Sequence, residues 1–414
     1  MLSKSLLKHG IQVDVLATRA NRIQLTSAFC TNWSNAYPEA AQTADGLNIQ
    51  RFSVEFQIPA RLGALMSAFV LRRWDYEERQ HGTMASGSLH LASYYMRRSG
   101  RRPWLYDALA RLGLGPWSIS LLRYLYRNIR HYDIVLAGFM PFSLLPQVVW
   151  LARHHNVPVA LLPLFHPDDL YHYSSILGRS LAQADGLLTL TPYSTELVEK
   201  LWPASSPYHV GAGVDLDDFM APTVSGERFR ARYGLNDKRI VLCVGRKEPG
   251  KRYDLAIEAI ESLQRDDTVL VLVGADTDRR PIHGPNIRYL GVLTRSNLID
   301  AYDACDILVM PSEHESFGMV ILEAWARGKP VLGNRNCRPI ASLIRPGIDG
   351  YLCDQREEFA TRIGELIDNP SLAQSMGTNG LERVLEYYNW HAVGERVLAA
   401  YQSILTRRAN AKKD

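Results

Sequence analysis

The second half of this 414-residue chain alternates short apolar runs with amphipathic helical patterns. The apolar runs predict strands over residues 240–244, 269–273, 287–290, 307–310 and 330–333. Helical patterns lie between them over 253–263 and 294–303, and another helix is predicted to start near Gly318. Alternation of this kind is typical of a parallel sheet with helices on both faces, so this half is predicted to be a doubly wound α/β domain.

The first half repeats the alternation less regularly. It predicts strands over 13–17, 49–54, 134–137, 159–163 and 186–190, and helices over 144–153 and 194–201. Residues 212–234 are polar and are broken by Pro222 and Gly226, which is typical of a linker. We therefore predict a Rossmann-like domain over 1–212, a second one over 213–389, and a final helical segment, 390–414, that returns to the first domain.

Length and composition agree with two soluble domains. A chain of 414 residues suits two domains of about 200 residues each. No apolar run reaches membrane-spanning length, and Lys4 and Lys8 interrupt the first ten residues where a signal peptide needs an apolar stretch. The five cysteines are scattered and lack the spacing of a metal site. These features predict a reduced, cytoplasmic setting.

The N-terminus departs from a doubly wound pattern. Such a domain opens with a strand and a glycine-rich turn into its first helix. This chain starts inside a predicted helix over 2–9 and reaches the strand at Val13 at once. The first strand and its loop are therefore expected to be missing, either because the natural start lies upstream of Met1 or because the domain lacks one strand.

Basic residues concentrate between Arg97 and Arg130. This segment holds eight arginines and one acidic residue, Asp107, with tryptophans and tyrosines between them. The pattern suits an anionic membrane surface, while an ordinary solvated face explains it equally well. Nucleic acid is a poor candidate as a partner, and none is predicted, because the net charge is only +4 and the sequence shows no recognised nucleic-acid-binding module.

The strongest chemical motif is PSEHESFGMVILEA over residues 311–324, which follows a predicted strand and opens a helix. Ligands bind at the carboxyl ends of strands in open α/β sheets. Gly318 allows the backbone to approach a ligand closely, and the helix N-terminus attracts a diphosphate. Glu315 in the loop is placed to reach sugar hydroxyls, and Glu323 in the helix is placed to accept hydrogen bonds from a ribose.

A second motif, GRKEPGK over residues 245–251, follows the strand at 240–244. Arg246 and Lys251 are predicted to project from the turn at the same edge of the sheet. Two fixed cations there would neutralise a departing diphosphate. Taken alone, the string is more often an exposed basic loop.

Together these motifs resemble the retaining glycosyltransferases of family 4. The likeness also includes Gly328 to Val331, Gly350-Tyr351-Leu352, Asn389-Trp390 and Gly213-Val214-Asp215. The resemblance implies the GT-B fold, in which two Rossmann-like domains face each other across a cleft. It implies transfer of a sugar from a nucleoside diphosphate sugar to an acceptor held by the first domain, with retention of anomeric configuration and without a required metal.

The resemblance also assigns roles to particular residues. Arg246 and Lys251 would hold the diphosphate, Glu315 the donor sugar and Glu323 the ribose. His166, after the strand at 159–163, falls where the family has a histidine that faces the donor sugar. The donor pocket would be lined by Gly245 and by the backbone of Phe317, Gly318, Met319 and Val320. Asp276-Thr277-Asp278 spells the metal-binding triplet of a different glycosyltransferase fold and is interpreted here as a coincidence.

The predicted function is therefore glycosyl transfer in polysaccharide, glycolipid or cell-envelope glycan synthesis, with UDP or GDP as the expected nucleotide. The protein is expected to be cytoplasmic, with peripheral attachment to the cytoplasmic face of a membrane as one hypothesis. Two other functions remain open at this point. One is a sugar-phosphate synthase or epimerase on the same scaffold, and the other is a non-catalytic subunit that binds a nucleotide sugar.

Overall fold

The computed structural model describes residues 1–20, 35, 37–38, 42–44, 46–56, 115–140, 142–165, 175–203 and 205–411. The described residues form two compact units. The first unit takes in those of 1–190, 194–210 and 394–411, and the second takes in 191–193 and 211–393. The chain therefore leaves the first unit after Val210 and re-enters it at Gly394.

A six-stranded sheet forms the centre of the second unit. Its strands are β8 (Arg239–Val244), β9 (Thr268–Val273), β10 (Ile287–Tyr289), β11 (Ile307–Met310), β12 (Val331–Asn334) and β13 (Gly350–Cys353). They pair in the order β10-β9-β8-β11-β12-β13, and every pair is parallel. The order changes direction between β8 and β11, which is the topological switch point of a Rossmann-like sheet.

Helices connect and cover these strands. In the second unit they are α6 (Leu216–Phe219), α7 (Gly226–Tyr233), α8 (Tyr253–Leu263), α9 (Arg295–Ala304), α10 (Met319–Ala326), α11 (Arg338–Ala341), α12 (Arg356–Asp368) and α13 (Pro370–Glu386). The central strands β8 and β11 are buried on both faces, with Val241, Leu242 and Leu308 at 0% exposure. The continuous apolar runs in the sequence reflect this two-sided burial, and the α/β prediction is confirmed.

The prediction of a linker over residues 212–234 is wrong. The segment contains α6 and α7, and its Phe229 is 2% exposed in the core. Ser225 caps α7 by accepting a hydrogen bond from the Arg228 backbone N–H at 3.1 Å. The Arg228 guanidinium then donates to the buried Asp300 carboxylate of α9. Polar composition suggested a solvated connection, whereas these side chains bind neighbouring elements.

The first unit contains two sheets among the described residues. Its strands are β1 (Asp14–Thr18), β2 (Gln42–Ala44), β3 (Leu47–Phe52), β4 (Val135–Gly138), β5 (Val159–Leu162), β6 (Gly186–Thr189) and β7 (Pro207–His209). The order is β1-β3-β2 in one sheet and β4-β5-β6-β7 in the other, which is all parallel. The Tyr132 hydroxyl, just before β4, donates to the Asp14 carboxylate of β1 at 2.9 Å and links the two sheets.

The helices of the first unit are α1 (Leu2–Lys8), α2 (Ile119–Asn128), α3 (Leu144–His154), α4 (Ser175–Gln183), α5 (Pro192–Leu201) and the end of α14 (Trp390–Asn410). Close packing ties α14 to this unit, since a Cβ on Gly186 of β6 would lie 2.5 Å from Ile404. Arg408 also pairs with Asp185 at 2.9 Å. Among the described residues, none of the helices combines the length and apolarity that crossing a bilayer needs.

The observed elements lie close to the predicted ones. Helix α1 is present, and α8 and β11 have the predicted bounds. For the other predicted elements, most observed ends differ from the predicted ends by one or two residues. The predicted basic segment is only partly described, because residues 97–114 lie outside the described residues. Residues 115–130 of it include α2.

Substitution of Gly377 in α13 is expected to destabilise the second unit. A Cβ at this position would lie 1.8 Å from the Gly328 carbonyl oxygen, so the helix must move away from the turn that follows α10. We expect Gly377→Ala to lower the free energy of unfolding by about 1–3 kcal/mol, as other overpacked sites do. Urea denaturation of the wild type and the variant measures this difference.

Gly364 of α12 is the matched control, because a Cβ there meets nothing closer than Leu263 at 3.6 Å. Gly364→Ala should leave stability unchanged or raise it by up to about 1 kcal/mol, since alanine favours the helix. Equal stability of the two alanine variants would contradict the close approach of α13 to Gly328.

Candidate functional site

The candidate site lies at the carboxyl edge of the second unit's sheet. Strands β8 and β11 are parallel neighbours, so the loops that follow them leave the sheet at the same edge. One loop, 245–252, contains the GRKEPGK motif, and the other, 311–318, contains the first part of the PSEHESFGMVILEA motif, which continues into α10. The backbone N–H of Glu313 donates to the Gly250 carbonyl at 3.1 Å and joins the two loops.

An ion pair connects the two motifs. The Lys251 ammonium donates to the Glu315 carboxylate at 2.6 Å. The two side chains are 22% and 13% exposed. The structure therefore brings together one predicted diphosphate-binding cation and the predicted sugar-binding carboxylate.

Arg246 extends further into solvent than Lys251. Its side chain is 58% exposed and pairs with Glu248 at 3.0 Å. Gly245, which precedes Arg246, lies very close to the backbone of Gly274, the residue that follows β9. A Cβ on Gly274 would lie 1.8 Å from the Gly245 carbonyl oxygen. Gly274 also has a φ of +148°, so glycine is needed there for the two loops to approach.

Gly318 forms the start of α10. Its φ is +104°, and a Cβ there would press on Ile321 and on Met310 at 3.3–3.4 Å. Phe317 is 3% exposed, with its ring 6.3 Å from that of Tyr388. Phe317 therefore anchors the loop in the core and leaves only its backbone for a ligand, whereas Met319 in the first turn of α10 is 38% exposed.

The Glu323 side chain is 13% exposed, as that of Glu315 is. The Glu323 carboxylate accepts hydrogen bonds from the Tyr302 hydroxyl at 2.6 Å and from Arg295 at 3.4 Å. Burial raises the pKa of Glu323, and these two donors oppose the rise. Arg295 is held in turn by Asp218 at 3.2 Å and by the Phe219 ring, 5.0 Å from its guanidinium carbon.

The sequence analysis did not find Tyr302 and Arg295. Both belong to α9, and their contacts with Glu323 join residues 21 and 28 positions apart. No motif spacing connects them to Glu323. Only the structure shows that Tyr302 is fully buried, and a buried tyrosine hydroxyl needs a hydrogen-bond partner.

Lys247 is a further residue that the motif analysis left without a role. Its ammonium is 3% exposed and pairs with Asp276 at 2.8 Å and with Asp278. Tyr253 donates its hydroxyl to Asp278 at 2.5 Å. Although burial raises the pKa of Asp278, the hydrogen bonds from Lys247 and Tyr253 lower it to about 2.

Both carboxylates of the Asp276-Thr277-Asp278 triplet are therefore paired with a protein cation. Across the part of the chain that the structure describes, no group of His, Cys, Asp and Glu side chains has the arrangement of a metal site. Asp276 keeps 41% exposure, whereas Asp278 is 9% exposed. Both carboxylates thus hold the loop after β9 against the loop after β8.

A pocket opens between these loops. Its charged and polar lining is Arg246, Lys247, Lys251, Tyr253, Tyr289 and Ser312. Its apolar lining includes Cys243, Val273 and Met310. Burial raises the pKa of the Cys243 thiol to about 12, so this side chain stays a neutral wall of the pocket.

Two distant pieces of the family motif also meet in the second unit. The Val214 backbone N–H donates to the Tyr388 carbonyl at 2.8 Å, and Val214 bridges to Asn389. A Cβ on Gly213 would lie 2.8 Å from the Trp390 nitrogen. His166 lies outside the described residues, so its predicted place beside the donor sugar stays a prediction.

The described site lies inside a region shared with known enzymes. A family model described as glycosyl transferases group 1 matches residues 225–383, which include every site residue from Gly245 to Glu323. A GDP-mannose-dependent alpha-(1-6)-phosphatidylinositol monomannoside mannosyltransferase of Mycolicibacterium smegmatis is 31% identical over 271 residues, which cover 61% of this chain and 69% of that protein. The chain belongs to the group 1 glycosyl transferases.

Longer matches agree with this membership. A D-inositol 3-phosphate glycosyltransferase of Kribbella flavida is 30% identical over 438 residues, which cover 97% of this glycosyltransferase and 88% of that protein. The structure of sucrose-phosphate synthase from Thermosynechococcus elongatus has a TM-score of 0.64 at 18% identity and covers 98% of this chain and 92% of that one.

Anabaena Alr3699/HepE, solved in complex with UDP, has a TM-score of 0.60 at 17% identity and covers 69% of this chain and 82% of that one. Likeness at this identity shows the fold, and the predicted GT-B class with Rossmann-like domains is confirmed. The predicted activity is confirmed at the level of a glycosyltransferase.

Removing the Tyr302 hydroxyl is expected to raise the pKa of Glu323 further. Burial already raises this pKa, and the Tyr302 hydroxyl stabilises the charged carboxylate. In Tyr302→Phe only Arg295 remains, so the carboxyl should take up a proton at a higher pH than in the wild type. Titration of the glutamate carboxyl carbons by NMR, with Glu323 assigned from the Glu323→Gln spectrum, measures the shift.

Tyr401 of α14 provides the control, since it is also a buried tyrosine and belongs to the other unit. Tyr401→Phe should leave the Glu323 titration unchanged. If Tyr302→Phe also leaves it unchanged, the Tyr302 hydroxyl does not stabilise the carboxylate.

Proposed function

We propose that this protein transfers a sugar from a nucleoside diphosphate sugar to a glycan or lipid-linked acceptor with retention of anomeric configuration, as a family 4 enzyme. One observation carries the proposal: Lys251 pairs with Glu315 between the loops that follow two adjacent strands, and Lys251 and Arg246 line one pocket there. Cations and carboxylates in one place match a ligand that contains both phosphates and hydroxyl groups.

The diphosphate would bind Arg246 and Lys251. Arg246 is largely exposed, so its guanidinium has room for bidentate contacts with phosphate oxygens. Lys251 is more buried and is oriented by Glu315, which places its charge before a ligand arrives. The first turn of α10, which begins after the left-handed Gly318, would add backbone N–H groups and the helix dipole.

The two carboxylates would bind different parts of the donor. Glu315 beside Lys251 would accept hydrogen bonds from the hydroxyl groups of the sugar that is transferred. Glu323, held by Tyr302 and Arg295, would accept hydrogen bonds from the ribose hydroxyls. Gly245, Phe317, Met319 and Val320 would line this donor pocket, with His166 facing the donor sugar.

The chemistry would need positioning more than a side-chain base. The bond between the sugar's anomeric carbon and the leaving phosphate oxygen breaks, and the acceptor oxygen bonds to that carbon on the same face. The leaving phosphate oxygen takes the acceptor proton, so the nucleoside diphosphate departs with it. Arg246 and Lys251 would stabilise the negative charge that develops on the phosphate, and we propose that no bound metal is required.

The names of the relatives narrow the substrate class. One relative is named as GDP-mannose-dependent, and one solved neighbour was crystallised with UDP. We therefore propose a donor of the GDP or UDP type and an acceptor in glycolipid or cell-envelope glycan synthesis. The enzyme would work in the cytoplasm and attach peripherally to a membrane, as the basic segment between Arg97 and Arg130 suggested.

Nucleotide-dependent unfolding tests the donor site. A nucleotide at about one hundred times its dissociation constant should add roughly 2.7 kcal/mol to the free energy of unfolding. We expect one of UDP, GDP and ADP to raise the melting temperature of the wild type and to have little effect on Glu323→Ala. Glu382→Ala, which removes an exposed glutamate of α13, should retain the full shift. If the nucleotide raises the melting temperature of Glu323→Ala as much as that of the wild type, Glu323 does not contact the ribose.

Product analysis tests the reaction itself. Incubation with the nucleotide sugar that binds and with candidate lipid and glycan acceptors should give a product whose anomeric configuration, measured by NMR, equals that of the donor. The rate should not fall when EDTA is added. Inversion of the anomeric configuration would overturn the mechanism. Conversion of the donor without an acceptor would indicate an epimerase, and binding with no turnover would indicate a non-catalytic subunit.

A further inference from the structure

One face of α2 is basic and partly apolar, and it is exposed. This face contains Ile119, Arg123, Tyr126, Arg127 and Arg130. Their spacing along the chain follows the helical repeat, so they lie on one side of the helix and of the turn that extends it. Ile119 and Tyr126 are 51% and 53% exposed. The opposite side of the helix carries the buried Leu121 and Leu125.

Helix α3 extends this surface. Trp150 is 59% exposed, and Arg153 and His154 follow it by three and four residues. The Trp150 and His154 rings are stacked at 5.3 Å, and the His154 ring lies 6.2 Å from that of Tyr126 in α2. The exposed residues of the two helices therefore form one surface. We call it the basic aromatic face: Ile119, Arg123, Tyr126, Arg127, Arg130, Trp150, Arg153 and His154.

Acidic residues are scarce in the stretch of sequence that forms the basic aromatic face. Between residues 108 and 167 the sequence contains a single one, Asp133. The Glu55 carboxylate lies at the Ile119 end, where it accepts hydrogen bonds from the backbone N–H groups of Ile119 and Ser120 at 2.7 and 3.1 Å. That carboxylate offsets the helix dipole at the start of α2 rather than the arginine charges.

We propose that the basic aromatic face docks the protein on an anionic lipid bilayer. Arginines are attracted to a negatively charged surface, while exposed tryptophan and tyrosine rings favour the depth of the lipid headgroups. The proposal rests on the peripheral membrane attachment proposed above and assigns it to the basic aromatic face, which coincides only in part with the segment between Arg97 and Arg130. Three of its residues, Trp150, Arg153 and His154, lie outside the segment between Arg97 and Arg130, because α3 contributes them through the fold.

Vesicle co-sedimentation tests the docking surface with the full-length chain. The wild type should bind vesicles of phosphatidylcholine and phosphatidylglycerol at low salt, bind weakly to pure phosphatidylcholine, and dissociate at high salt. Each arginine near the surface contributes roughly a fivefold gain in affinity. The double variant Arg123→Gln/Arg127→Gln should therefore bind about 25-fold more weakly, and Trp150→Ala should bind several-fold more weakly.

Matched variants control for charge and for lost apolar surface. Arg288→Gln/Arg356→Gln removes two exposed arginines of the second unit, and Val292→Ala shortens a side chain that is 74% exposed. Both should bind anionic vesicles like the wild type. Equal binding by the α2 double variant and the wild type, equal binding of the wild type to neutral vesicles, or no binding at all would overturn the proposal.

Failure of this docking and failure of the donor site are separate outcomes. The nucleotide-dependent shift in melting temperature should be unchanged in Arg123→Gln/Arg127→Gln and in Trp150→Ala, since these residues belong to the first unit, whereas Arg246, Lys251 and Glu323, which are proposed to bind the nucleotide, belong to the second. A nucleotide shift without vesicle binding would refute the docking surface alone. Loss of the nucleotide-dependent shift in these variants would also contradict the proposal, because the docking surface would then not be separate from the donor site.

Discussion

Two-sided burial of β8 and β11 determines where polar chemistry lies in this protein. Val241, Leu242 and Leu308 are inaccessible to water, and a charge among them would lose its hydration without gaining a partner. Charged side chains are therefore placed beyond the strand ends. Because parallel strands end at the same edge, Lys251 and Glu315 are in contact although 64 positions separate them in the chain.

Lys247 shows how a charge is accommodated beside this buried sheet. Its ammonium is surrounded by the carboxylates of Asp276 and Asp278 and by the rings of Tyr253 and Tyr289, at 5.5 and 6.0 Å. Cation–π attraction and ion pairing together offset its loss of hydration. The same contacts hold the loops after β8 and β9 together, next to Arg246 in the chain. Lys247 thus stabilises the surroundings of the diphosphate-binding cations without itself being exposed to solvent.

Much of the second unit was predictable from the sequence, because hydrophobic periodicity is local. It identified β11 and α8 with their observed bounds, and the rule that ligands bind at strand ends located Lys251 and Glu315. The contacts of Tyr302 and Lys247 were not predictable in this way, since each joins elements distant in sequence. Composition was misleading over 212–234, a polar segment that nevertheless contains the buried Phe229 and whose Arg228 binds the buried Asp300. The prediction for His166 falls outside the described residues.

The burial of Phe317 has a consequence for the energetics of ligand binding. Its ring packs near Tyr388 in the core, so the loop between β11 and α10 is held by apolar contacts that need no ligand. Fixing the backbone of a residue costs about 1–2 kcal/mol of conformational entropy. For this loop, the backbone entropy is lost when the chain folds and not when a ligand binds. A ligand that reaches the edge of the sheet therefore meets a preorganised surface, and less of its interaction energy is lost in ordering the protein.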